Sequence, residues 1–309
     1  MLAGITTICF AASYTVALII ELARLVWQSG WRRLALFVAT GAGLVAQTAY
    51  LATRAADAHA SPLSSPYDWC LLAAWLLVVV YLLHALYYPK VSTGLFVLPL
   101  VLVLIGLAQW ASQEPFSPDR AHHFWGNLHG SFLLLGTVAV LVGLLAAVMY
   151  LVESYRLKTK LPAGRGFRLP SLEWLERVNN RSLIFSAVFV GIGLSSGLVL
   201  NRIGPDGEAN AFAFWSNPVV AGLSAVFLWL LAAEAFRLAY PPARRGRKTA
   251  YLNLATFVLL AVTLALLLWA DSHPGANSQH GSRSSYHESG PADSRLSALR
   301  SPPSAGGAR

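Results

Sequence analysis

Eight histidines are the residues in this chain best suited to chemistry. A neutral imidazole carries one lone pair and is a good ligand for iron. His129 stands in the run W-G-N-L-H-G at 125–130, with Gly136 and Gly143 following at seven-residue intervals. On a helix these three share one face, and glycines there let another helix or a flat ligand come close. His129 is therefore either an iron ligand or an interfacial histidine above a packing seam. His273, in W-A-D-S-H-P at 269–274, is either a second ligand or part of the first polar stretch after a membrane exit. His84, in Y-L-L-H-A-L-Y-Y at 81–88, is either a ligand or an interfacial anchor beside Tyr87 and Tyr88. Trp69, Trp110, Trp125, Trp215 and Trp269 fit an aromatic belt or a platform for a planar macrocycle. Trp215, in F-A-F-W-S-N-P at 212–218, is the best placed for the second role.

Composition says what must position these residues. Of 309 residues, 56% are apolar and 12% charged, and the mean hydropathy is +0.54. That charged share is about half of the globular norm, which excludes a disordered chain and an ordinary soluble domain and points to a bilayer as solvent. Eight apolar segments are long enough to span, at roughly 3–23, 34–53, 68–88, 93–112, 127–152, 182–201, 214–237 and 250–270. Lipid demands internally satisfied backbone, so each is predicted to be a helix. The fold expected is an all-α polytopic membrane bundle of eight transmembrane helices. The apolar start, without Lys or Arg before Arg24, reads as a retained first helix rather than a cleaved leader.

Charge sets the orientation. With the N-terminus outside, the inner loops hold most of the 23 basic residues, and the outer loops 54–67, 113–126 and 202–213 hold only Arg54, Arg120 and Arg202. Both termini are then outside, and His129 and His273 fall on the same outer side. The pI near 9.8 is mostly a topology signal, not a sign of nucleic acid. The inner loop 153–181 contains P-S-L-E-W-L-E-R at 170–177, read as a short amphipathic helix with Leu172, Leu175 and Val178 on one face. Residues 1–273 form the expected membrane domain, and the Ser/Gly/Pro-rich tail 274–309 is expected to be disordered.

Other chemistry is not supported. Cys9 and Cys70 form no CxxC or zinc spacing and read as small buried residues. Glu21 and Glu234 lie close to Arg24 and Arg237 and read as salt-bridged helix ends. No chain of buried acids crosses the bilayer and no broken-helix pattern appears, which disfavours a small-molecule transporter.

The chain resembles the cytochrome c assembly proteins of the heme-handling superfamily, in the small eight-helix, HemX-like branch. The resemblance rests on W-G-N-L-H-G-S-F-L-L-L-G at 125–136 and M-Y-L-V-E at 149–153. It rests further on R-L-K-T-K-L at 156–161 with R-L-P-S-L-E-W-L-E-R at 168–177, on G-I-G-L-S-S-G at 191–197 with F-W-S-N-P-V-V at 214–220, and on a histidine beyond the last helix. It covers roughly 65–275. It implies a membrane protein that binds heme and presents it on the outer face of a bacterial-type cytoplasmic membrane for attachment to apocytochrome c. His129 and His273 would be the iron ligands, with Trp125, Trp215 and His84 as further cofactor-binding candidates. The family's tryptophan segment ends in W-D-P, where this chain reads W-S-N-P. No exposed thiol motif is present, so catalysis by the chain alone is not implied. A larger membrane partner would complete a heme-attachment system. The alternative, also carried by HemX-like relatives, is a regulator that docks a cytosolic enzyme of tetrapyrrole synthesis through loop 153–181.

The charge pattern makes a direct prediction. Reporter fusions at positions 165 and 245 read cytoplasmic, and fusions at 60 and 208 read external. A cytoplasmic signal at 208 contradicts this topology.

Overall fold

The computed structural model describes residues 7–24, 31–57, 65–89, 91–113, 124–160, 168–203, 218–240 and 246–272. They form eight α-helices and, among the described residues, no strand: α1 (Thr7–Ala23), α2 (Trp31–Asp57), α3 (Pro66–Tyr87), α4 (Gly94–Ala108), α5 (Phe124–Lys158), α6 (Leu172–Ile203), α7 (Pro218–Ala239) and α8 (Arg247–Ser272). Six are long and apolar enough to cross a membrane, while α1 and α4 are shorter apolar helices. The chain forms two compact units, Met1–Leu268 and Trp269–Arg309. Of the second, the last turn of α8 is described, and the expected tail 274–309 lies outside the described residues.

Several helix bounds differ from the sequence reading. The run 170–177 is not a separate helix, because α6 runs without a break through the polar stretch Asn179–Asn180–Arg181. The polar side chains of this stretch are used for packing. Asn179 and Ser182 are buried and bonded to Asn253 of α8, with Asn253 Nδ2 donating to Asn179 Oδ1 at 3.0 Å and Ser182 Oγ to Asn253 Oδ1 at 3.2 Å. The expected apolar face of the run holds: Leu175 is fully buried, with Leu172 and Val178 packed beside it. Ser171 Oγ accepts from the Trp174 N–H at 3.3 Å, a capping bond at the start of α6. Helix α4 stops at Ala108, and the chain continues in tighter turns, with the N–H groups of Gln109, Trp110 and Ala111 each reaching back three residues. Helix α5 reaches about 52 Å at its 35 residues, well beyond a hydrocarbon core.

Within Met1–Leu268 the main core joins α1 to α5 and the start of α6, around Phe10, Tyr14, Leu71, Leu77, Leu98 and Val101. A smaller cluster of Leu183, Val190, Val226 and Leu230 joins α6 to α7. Buried polar side chains cross-link the helices, since a polar group in an apolar interior must find a partner. Tyr14 Oη donates to Gln47 Oε1 at 2.7 Å, and Gln47 Nε2 donates to the Leu71 carbonyl at 3.0 Å, tying α1, α2 and α3. Arg237 bridges Glu234 to Asn180 of α6, and Arg247 Nε donates to Ser154 Oγ of α5 at 2.9 Å. Glu21 is buried and paired with Arg24 at 3.4 Å, so the helix-end pairs at Glu21 and Glu234 are as the sequence suggested. Cys70 is half-buried as expected, but Cys9 lies on the exposed face of α1. It is apolar enough to face a membrane without being in the core.

These contacts fix an alternating arrangement. The end of α3 and the starts of α4 and α6 meet at one end, where the Ser92 N–H donates to the Arg168 carbonyl at 2.8 Å. The end of α2, the start of α3 and the end of α4 meet at the other, where Arg54 reaches Asp68 and Gln113. Because α6 runs back from the first end, its last turns and the start of α5 lie at the second.

Candidate functional site

His129 occupies the second turn of α5, directly against α6. Its Nδ1 lies 2.7 Å from the Gly193 carbonyl oxygen. A carbonyl has no proton to give, so Nδ1 must carry the hydrogen and donate it. In the neutral ring Nε2 then holds the lone pair, and among the described residues it has no hydrogen-bond partner. Ser196 Oγ donates to the same carbonyl at 2.8 Å. An imidazole fixed through Nδ1–H to a backbone oxygen, with Nε2 available, is the orientation in which histidine commonly ligates a metal.

Glycines make this approach possible. A Cβ on Gly197 would sit 2.8 Å from His129 Cε1 and 2.9 Å from Nδ1. A Cβ on Gly193 would sit 2.5 Å from Leu133 Cδ2, and one on Gly136 2.8 Å from Val190 Cγ2. Gly193 and Gly197 are one turn apart on α6, and together they form a notch that receives Leu133 and His129. The sequence left open whether the face of His129, Gly136 and Gly143 admits a helix or a flat ligand. Below His129 it admits helices: Val190 of α6 covers Gly136, and Ser182 and Asn253 cover Gly143. A ligand at His129 must therefore approach from the helix end rather than from along the glycine face.

Trp125 lies one turn before His129, part-exposed, with its ring edge-on to Phe124 at 5.9 Å. His273 and Trp215 lie outside the described residues, as do His59, His122 and His123. His84 is described, and it belongs elsewhere. Its ring packs against Trp174 at 4.9 Å and Tyr88 at 5.1 Å, and its Nδ1 lies 3.2 Å from Thr93 Oγ1. Trp174 and Gly193 are 19 residues apart on α6, about 28 Å along the helix. His84 and His129 thus sit at opposite ends and cannot hold one ligand between them.

A polar cluster at the His129 end escaped the sequence reading. Arg54 is in the last turn of α2, not in a loop, and its Nε donates to Asp68 Oδ1 at 2.7 Å. Ser65 Oγ donates to Asp68 Oδ2 at 2.8 Å, and the Arg54 guanidinium lies over the Tyr67 ring at 4.6 Å. The signal available was S-P-Y-D at 65–68, a helix start with a cap, a proline and an acid in the first turn.

No group of three or more His, Cys, Asp or Glu side chains that could hold a metal ion occurs among the described residues. His129 can supply one nitrogen to an iron that arrives with most of its ligands already in place, as in a tetrapyrrole. The Cytochrome C assembly protein family matches residues 63–272, more than half of the chain. The chain belongs to this family. Membership links it to cytochrome c biogenesis and to heme handling, and with six span-capable helices it makes the chain a multi-pass membrane protein. The cytochrome c assembly match takes in α3 to α8, including His129, Gly193 and Gly197, and begins after α1 and α2. No curated protein and no solved structure matches the chain.

The notch predicts a contrast between two glycines. Gly197→Ala pushes the His129 ring away from the Gly193 carbonyl and lowers stability by about 1–3 kcal/mol through overpacking and the lost bond. Gly41→Ala, where nothing lies within 4 Å, is neutral or stabilising by up to about 1 kcal/mol. Unfolding of the detergent-solubilised variants measures both.

Proposed function

We propose that this cytochrome c assembly protein binds heme at the His129 end of the bundle and presents it on the outer face of the membrane for attachment to apocytochrome c. The observation that carries this reading is the fixed imidazole. The Gly193 carbonyl holds the Nδ1 proton at 2.7 Å, and Nε2 is left as a donor of electrons. Gly197 gives the ring a flat backing, so its orientation is set before a ligand arrives. Heme, when bound, supplies the iron that accepts the imidazole and the vinyl groups to which apocytochrome thiols add.

The chain's own residues then have distinct tasks. His129 holds the iron, and Trp125, one turn away, borders the macrocycle. His273 as second ligand and Trp215 as stacking platform are proposed through the family resemblance alone. The thiols come from apocytochrome c, and a larger membrane protein supplies what this chain lacks for the attachment itself. The setting proposed is a bacterial-type cytoplasmic membrane crossed eight times, both termini outside, with a disordered tail from 274. The reduced tryptophan segment fits the HemX-like branch.

The experiment is an absorption titration of the purified protein with heme. The wild type gives a low-spin spectrum. His129→Ala and His273→Ala each convert it to a high-spin or weakly bound one. Added imidazole partly restores the spectrum, and His84→Ala leaves it unchanged. A His129→Ala protein that keeps the low-spin spectrum overturns the assignment.

A further inference from the structure

At the end of the bundle opposite His129, six exposed cations stand unneutralised among the described residues: Arg33 on α2, Lys158 on α5, Lys160 just beyond it, Arg168 just before α6, Arg181 on α6 and Lys248 on α8. Among the described residues none of them has a carboxylate partner. The acids at this end are used locally. Glu21, Glu153, Glu173 and Glu234 each pair with an arginine three or four residues further along the chain. Glu176 is half-buried near Tyr150.

Four of these, Arg33, Lys158, Arg181 and Lys248, sit within four residues of an exposed aromatic on the same helix: Trp31, Tyr155, Phe185 and Tyr251. Two also lie over aromatic rings, Arg33 over Phe37 at 5.8 Å and Lys248 over Tyr240 at 4.9 Å. The cations mark the point at which each helix surface turns apolar. On α6, Arg181 is followed on the same face by exposed Ile184, Phe185 and Val188. The other end lacks this pattern. Among the described residues, Trp110 and Phe124 are strongly exposed there without a neighbouring cation, Arg54 is paired with Asp68, and Arg202 is the exposed cation.

We propose that this rim is a collar for anionic phospholipid headgroups. The aromatic rings seat at the depth of the glycerol backbone, and the cations meet phosphates just above it. A lipid is the occupant favoured over a soluble protein because the charges sit at the edge of the apolar surface. A docked soluble protein would need them beyond it.

The test uses full-length protein in phosphatidylcholine bilayers with trace spin-labelled lipid, read as the motionally restricted fraction by electron paramagnetic resonance. Wild type restricts spin-labelled phosphatidylglycerol about fivefold more strongly than spin-labelled phosphatidylcholine, the effect of about one cation per headgroup. The preference falls in high salt. The quadruple variant Arg33→Gln, Lys158→Gln, Arg181→Gln, Lys248→Gln lowers it by more than half, with Lys160 and Arg168 left in place. The single changes Arg181→Gln and Lys248→Gln, both at exposed side chains, each lower it in part. Arg202→Gln at the other end leaves it intact. Equal restriction of the two lipids by the wild type, or an undiminished preference in folded single and quadruple variants, overturns the collar.

Discussion

The contact between α5 and α6 is the constraint on which the His129 site depends. Gly193 and Gly197 on one helix, and Gly136 and Gly143 on the other, remove the side chains that would hold the helices apart. Close approach brings an imidazole within 2.7 Å of a helix carbonyl that already belongs to the backbone ladder. That carbonyl can only accept, so the proton of His129 is assigned by geometry. The same bond leaves the other ring nitrogen with its lone pair and, among the described residues, without a hydrogen-bond partner. Packing, tautomer and ligand chemistry are in this way one fact seen at three levels.

A bilayer solvent explains how the rest of the molecule supports that contact. Apolar side chains gain little by leaving lipid for protein, so specific helix association leans on close packing and on buried polar pairs. Here Asn253 joins α8 to α6 through Asn179 and Ser182, Gln47 joins α1, α2 and α3, and Arg237 joins α7 to α6. Each polar group lies where a neighbouring helix can satisfy it. The chain spends its few charges at the two ends: paired at Arg54–Asp68 beside the start of α3, and in excess around Arg181 and Lys248.

Much of this was legible in the sequence. Long apolar runs gave eight helices in the right order, and W-G-N-L-H-G singled out His129 on the face that packs. The amphipathic run at 170–177 was found with its buried face correct. What failed was inference from local polarity. The run 170–177 read as a short helix in an inner loop, yet Asn179, Asn180 and Ser182 continue it into the span from 182, because Asn253 and Arg237, more than 50 residues away in sequence, satisfy them. Arg54 read as a loop residue because its partner Asp68 belongs to the next helix. His84 and His129 lie at opposite ends, against Trp174 and Gly193, which are about 28 Å apart along α6. The glycine spacing announced a close approach without saying to what.

The claim that His129 presents Nε2 is open to one direct measurement. Nitrogen-15 magnetic resonance of histidine-labelled protein in micelles, with His129 assigned by difference against His129→Asn, distinguishes protonated from unprotonated ring nitrogens. At neutral pH and without heme, the structure requires a protonated Nδ1 and an unprotonated Nε2 at His129. A proton found on Nε2, with Nδ1 bare, would contradict the Gly193 hydrogen bond and remove the physical basis for iron ligation at this histidine.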